Sequence, residues 1–234
     1  MQVHCGAGAS HRPQWLLHVR LQTLSSDPTT LVVFTDGSRH RPGGKHHRRA
    51  GTGYVAYTQG DEVRLGSWGL GRRAGIYDAE MLALAGAAAA AADLCACHPV
   101  LKKILFLTDN QSALNTITDT TEHPAQGASI LFRRHIDNLL STTDIQIELA
   151  WIPGHIGFVG NKRADAIAKS AVIKTPIIHS TISWAREKAK ARALRSWQAE
   201  WAARPHTNLA AVALRNPPSH QLSLIHISEP TRPY

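Results

Sequence analysis

Four carboxylates could do chemistry together: Asp36 in Thr35-Asp36-Gly37-Ser38, Glu80 in Tyr77-Asp78-Ala79-Glu80, Asp109 in Thr108-Asp109-Asn110, and Asp165 in Asn161-Lys162-Arg163-Ala164-Asp165. Asp36 and Asp109 each end an apolar run, Leu31–Phe34 and Ile104–Leu107, that reads as a buried strand. An acid beside buried apolar surface is costly unless something positive neutralises it. The usual neutraliser is a divalent cation with hard oxygen ligands, so the pattern suggests a magnesium site. Each acid has a plainer explanation: Asp36 as a turn former before Gly37, Asp165 as a favourable charge early in a helix. No structural rule requires all four.

A fifth residue belongs with them. His155 stands ten positions before Asp165 in a Gly154-His155-Ile156-Gly157 loop. A loop histidine titrating near neutrality suits a mobile proton carrier.

The elements that must position these residues follow from periodicity and punctuation. Strands are expected at about Leu31–Thr35, Gly51–Tyr57, Val63–Leu70, Lys102–Leu107 and Ile145–Trp151. Between the first two lies Arg39–Arg49, a basic stretch with two glycines, longer than a strand pair needs. An alanine-rich helix is expected over Asp78–Leu94, closed by Pro99. A short helix over Gln111–Ile117 follows, then one over Ala128–Leu140 with Phe132, Ile136, Leu139 and Leu140 on one face. Pro153 and Gly154 open a loop before the last core helix, near Asn161. The order β-β-β-α-β-α-α-β-α implies an α/β fold, a mixed five-stranded sheet with flanking helices.

The motifs together resemble ribonuclease H of type 1. Asp-Gly-Ser follows the first strand, a Glu comes early in the first long helix, and Thr-Asp-Asn follows a later strand. Trp151-Ile-Pro-Gly-His-Ile-Gly and Gly160-Asn-Lys-Arg-Ala-Asp165 complete the set. Their wording is most similar to ribonuclease H domains of retroelement polyproteins, of the non-LTR retrotransposon kind, over residues 30 to 173. The resemblance implies an endonuclease that hydrolyses the RNA strand of RNA/DNA hybrids and leaves 5′-phosphate and 3′-hydroxyl ends. It also implies two Mg2+ ions, with Mn2+ as a substitute. Asp36 would bridge both ions, Glu80 and Asp109 would complete one shell, and Asp165 the other. His155 would help product leave. Gly37, Ser38, Asn110 and Gln111 would meet the 2′-hydroxyls that distinguish RNA from DNA. Lys162 and Arg163 stand where retroelement versions often carry an acid first, which leaves the metal ligands untouched. Absence of a basic hybrid-binding domain ahead of the core points to a polyprotein piece, with a reverse transcriptase domain as a partner. One alternative is a catalytically inactive relic that binds hybrid without cutting it. Another is a transposase or integrase core, against which the Gly-His-Ile-Gly loop and the placement of Glu80 argue.

Composition bounds the rest. The 234 residues carry a formal charge of +9 and an isoelectric point near 9.9. That balance favours a polyanionic partner. Much of the charge lies in Arg39–Arg49 and Arg186–Arg204, where it suits phosphate contacts. No apolar run is read as approaching the roughly 18 residues that cross a bilayer, and Met1–Ser26 lacks a secretory pattern. No membrane partner is therefore expected. Cys5, Cys95 and Cys97 form no disulfide framework or zinc set, and read as free thiols of an intracellular protein, nuclear or cytoplasmic. A monomer is expected.

The expected organisation is a poorly ordered leader over 1–29, a catalytic domain over 30–175, and a basic helical extension over 176–204. A disordered tail over 205–234 would complete the chain. In the extension, Ile182–Ala203 is read as an amphipathic helix packed by Trp184, Trp197 and Trp201, in preference to a nucleic-acid grip. Residues 222–232 read as a translated sequencing adapter and are set apart from the fold.

Overall fold

Alternation of apolar side chains along two neighbouring strands organises the molecule. The computed structural model describes residues 2–4, 23, 26–44, 47–154 and 157–203. The chain order is β1 (Gln2–His4), β2 (Thr30–His40), β3 (Arg49–Thr58), β4 (Asp61–Gly71), α1 (Ile76–Cys97) and β5 (Lys103–Thr108). There follow α2 (Gln111–Thr116), α3 (Gln126–Thr142), β6 (Gln146–Trp151), α4 (Val159–Ala171) and α5 (Ile182–Ala203). The sheet runs β1-β6-β5-β2-β3-β4. β2, β3 and β4 form an antiparallel meander, while β2, β5 and β6 pair in parallel. All five expected strands are present in the expected order. β1 is an addition: three residues of the expected leader pair in parallel with Glu148–Ala150 of β6.

Leu31, Val33, Ile104 and Phe106 turn to one face, where they meet Met81 and Leu84 of α1 and Phe132 and Ile136 of α3. Val32, Phe34, Leu105 and Leu107 turn to the other and meet Ala164 and Ile167 of α4. Strands buried on both faces read as continuous apolar runs. That is why both runs were visible without a partner to compare. α4 lies directly on the backbone of β3: a Cβ on Gly53 would come within 2.5 Å of the Ala168 nitrogen.

Several expectations are corrected. Asp36 does not end its strand, because β2 continues four residues further, to His40. The parallel partner β5 stops at Thr108, but β3 keeps bonding β2 as far as His40 opposite Arg49. Arg39, His40 and Arg49 thus belong to the β2–β3 ribbon, and Pro42–Gly44 form a 3-10 turn. α1 is long and apolar enough to cross a membrane, a length that the broken sequence pattern of Ile76–Cys97 concealed. Within this fold α1 buries a dozen residues, from Asp78 to Leu94, against the sheet and α3.

The chain divides into two compact units after Ala185. α5 begins before that boundary; it is expected to be packed by its tryptophans, and Trp184, Trp197 and Trp201 are each half-buried, though no residue of α5 is fully buried. Trp197 and Trp201 lie 6.4 Å apart between ring centroids, inclined at 52°. Arg186, Lys188, Lys190, Arg192 and Arg195 occupy so much of the helix that no wide apolar stripe remains. The tail over 205–234, with the adapter-like segment, falls outside the described residues, as does most of the leader.

Candidate active site

Two of the acids are placed by strand register alone. The last parallel pair of β2 and β5 is Thr35 opposite Thr108, so Asp36 and Asp109 are next on each strand, side by side where that pairing stops. Crevices at the carboxyl ends of parallel strands are the usual ligand sites of open α/β sheets. Alternation places Asp36 on the face of Val32 and Phe34, toward α4, which carries Asp165. Gly37 faces the other way, against α1. A Cβ there would stand 2.6 Å from the Glu80 nitrogen, so the absent side chain lets α1 bring Glu80 to the strand.

The geometry gathers three of the acids tightly. Asp36, Glu80 and Asp109 can each offer an oxygen within 4.8 Å of the others. Asp165 is not of that set; its charge acts on Asp36, and it pairs with Lys169 at 2.6 Å. Asp36 is therefore shared between a three-acid cluster and a two-acid one.

The electrostatics are those of carboxylates held where they are costly. Burial, then the charges of Asp109 and Asp165, push Asp36 up to about 8. Burial, then Asp36 and Asp109, push Glu80 up to about 9. The nearby Gly37 N–H and Asn110 side chain favour the charged form of Glu80 and offset part of that rise. Glu80 Oε2 is nevertheless buried with no hydrogen-bond partner among the described residues. An orphaned buried carboxylate oxygen among like charges fits a divalent cation with hard oxygen ligands.

The remaining expected residues are placed less uniformly. Asn110 caps α2, its Oδ1 accepting the Ala113 N–H at 3.0 Å, and its side chain favours the charged form of Glu80. Gln111 opens α2 and is exposed; Ser38 is buried, its hydroxyl 3.3 Å from His40 Nδ1. His155 lies outside the described residues. Its neighbour Gly154 abuts the cluster, since a Cβ there would stand 2.9 Å from Asp109 Oδ2.

Sequence reasoning gave no role to three residues that orient these acids. Asn161 Nδ2 donates to Asp109 Oδ2 at 3.2 Å, and its own Oδ1 is buried without a partner. Trp151 Nε1 donates to the Asp109 carbonyl at 3.0 Å. Lys169 holds Asp165. Asn161 and Lys169 stand four residues before and after Asp165, one helical face, and that spacing was the signal available.

A cluster of acids at the end of a mixed sheet, drawn from β2, α1, the end of β5 and α4, forms a site on an α/β fold that could hold a metal ion. The chain belongs to the RNase H family, whose profile matches residues 28–173, and is a ribonuclease H by class. Among solved structures it is similar to the N-terminal RNase H domain of a Mycobacterium tuberculosis protein. Identity there is 21%, coverage 62% of this chain and 94% of that one, and the TM-score 0.47. It is also similar to RNase H1 from Halobacterium salinarum, with 26% identity, coverage of 61% and 96%, and a TM-score of 0.44. A third is LC11-RNase H1 in complex with an RNA/DNA hybrid: 19% identity, coverage of 61% and 96%, and a TM-score of 0.44. No curated protein matches the chain.

Proposed function

We propose that this chain hydrolyses the RNA strand of RNA/DNA hybrids endonucleolytically, leaving 5′-phosphate and 3′-hydroxyl ends. The observation that carries the reading is the three-acid cluster, with Asp36 and Glu80 buried and a Glu80 oxygen orphaned. Membership of the RNase H family supports the choice of substrate. Glu80, Asp109 and Asp36 would hold one divalent ion, and Asp36 and Asp165 a second. When bound, two Mg2+ ions, or Mn2+ in their place, supply an activated water and neutralise charge on the attacking and leaving oxygens.

The chain's own groups prepare that site. Asn161 donates to the Asp109 oxygen against which Gly154 lies, while the Gly37 N–H and the Asn110 side chain favour the charged form of Glu80. His155 is assigned the proton carrier that helps product leave, and Ser38 and Gln111, with Gly37 and Asn110, the contacts to 2′-hydroxyls. The net charge of +9 supports an electrostatic hold on the hybrid. The wording of the Trp151–Asp165 motif supports an origin in a retroelement polyprotein, with a reverse transcriptase domain as partner.

The test uses the full chain and an end-labelled hybrid, with Mg2+ and then EDTA, beside single-stranded RNA and duplex DNA. Cleavage of the hybrid's RNA strand alone, lost with EDTA and in Asp109→Asn, is expected. Tight hybrid binding with no cleavage under any divalent metal would replace this reading with that of an inactive relic.

A further inference from the structure

The family match ends at residue 173, yet the compact unit that holds the acids runs on to Ala185. The segment between is tied down at each step. Arg49 donates to the Lys174 carbonyl at 2.9 Å, and the Ile177 N–H donates to the Gly69 carbonyl at 3.1 Å. Ile178 packs on Ala50, Leu70, Ala74 and Ala79. The segment then reaches the start of α1 at Thr181. The Thr181 N–H donates to the Arg73 carbonyl at 2.9 Å, and its hydroxyl donates to Asp78 Oδ2 at 2.7 Å. The same oxygen accepts the Gly75 N–H at 2.8 Å. Trp184 lies 5.5 Å from the Arg73 guanidinium, and Ser183 accepts the Ala125 N–H at 3.1 Å.

We propose that residues 174–185 form a strap on the first turn of α1, and that Thr181 is a positioning residue for Glu80. The inference rests on the metal-dependent reading above. Asp78 is 3% exposed and its Oδ1 has no partner among the described residues. Among the described residues, Thr181 thus supplies the one side-chain donor to this buried carboxylate in the opening turn. Its loss leaves that carboxylate short of a partner at a helix end, where ordering is weakest. Glu80 lies two residues on, in the same part of α1, whereas Asp36, Asp109 and Asp165 come from other elements and would not follow its displacement. The strap therefore acts on one ligand of the cluster, and so on metal affinity more than on the fold.

The test is thermal denaturation of the full-length protein over a range of Mn2+ and Mg2+ concentrations, with no substrate present. Thr181→Val should raise the half-saturating metal concentration about tenfold, the scale of lost support behind a metal ligand. Thr181→Ser should keep the wild-type value, and Ser183→Ala, which breaks a different anchor of the strap, should leave it unchanged. Thr181→Ala gives a second reading if valine crowds the turn. Equal lowering of the metal-free and metal-bound midpoints, with unchanged half-saturation, would make Thr181 a mere staple and overturn the proposal. A wild-type protein with no response to either metal overturns the metal-dependent reading, and this inference with it.

Discussion

At the scale of single residues, the site sets two buried carboxylates, Asp36 and Glu80, beside two half-buried ones, Asp109 and Asp165. Asp36 and Glu80 are held up to about 8 and about 9 by burial first and then by the charges of neighbouring carboxylates. Between the ordinary carboxylate range and those values the native state keeps protons that the unfolded chain has released. Stability of the metal-free protein should therefore fall as pH rises from about 5 to 9. Divalent metal should reverse the trend and expel protons. Melting curves across pH, and calorimetry in buffers of different ionisation enthalpy, would read both effects; a flat metal-free profile would refute the account. Asn161→Ala should leave the fold intact and weaken metal binding or cleavage by about 10- to 100-fold, because Asp109 then loses its orienting donor. Loss of no more than twofold would mean Asn161 merely fills space. In the sequence, the acids were legible from their motifs, but Asn161 and Lys169 passed without a role. Their effect depends on side chains meeting across a site, and helical spacing only hints at that.

At the scale of elements, close approach of backbones decides whether the acids meet. α1 carries Glu80 to β2 only because position 37 has no side chain. Gly37→Ala should force the strand and helix apart, with a cost of about 1–3 kcal/mol and a larger loss of metal response. Denaturation with and without Mn2+ would separate the two, and an unchanged metal response would show that the approach is not critical. The order and type of the elements followed from hydrophobic periodicity, since β2 and β5 bury both faces and α3 one. Their limits did not. β2 outruns its apolar run because β3 goes on supplying hydrogen bonds past Asp36, and a partner strand's length cannot be read from the strand it pairs with.

At the scale of the whole molecule, charge and connectivity matter most. Hybrid affinity should fall steeply with salt, as phosphate contacts release counterions. Removing residues 186–234, a separate compact unit, should leave the metal-induced stabilisation unchanged and flatten that salt dependence. Filter binding at a series of salt concentrations would measure the slope, and an unaltered slope would place the nucleic-acid contacts entirely in the first unit.

By itself the sequence determined the α/β order of elements, the four acids and the family they mark, because periodicity, strand-end acids and motif spacing are local and survive in one dimension. Tertiary structure alone decided the depth of Asp36 in its strand, the orphaned oxygen of Glu80, and the strap that carries Thr181 to Asp78. Those depend on contacts between residues far apart in the chain, 103 positions in the last case. No local pattern encodes them, since the partner's identity is settled only when the sheet and its helices close on one another.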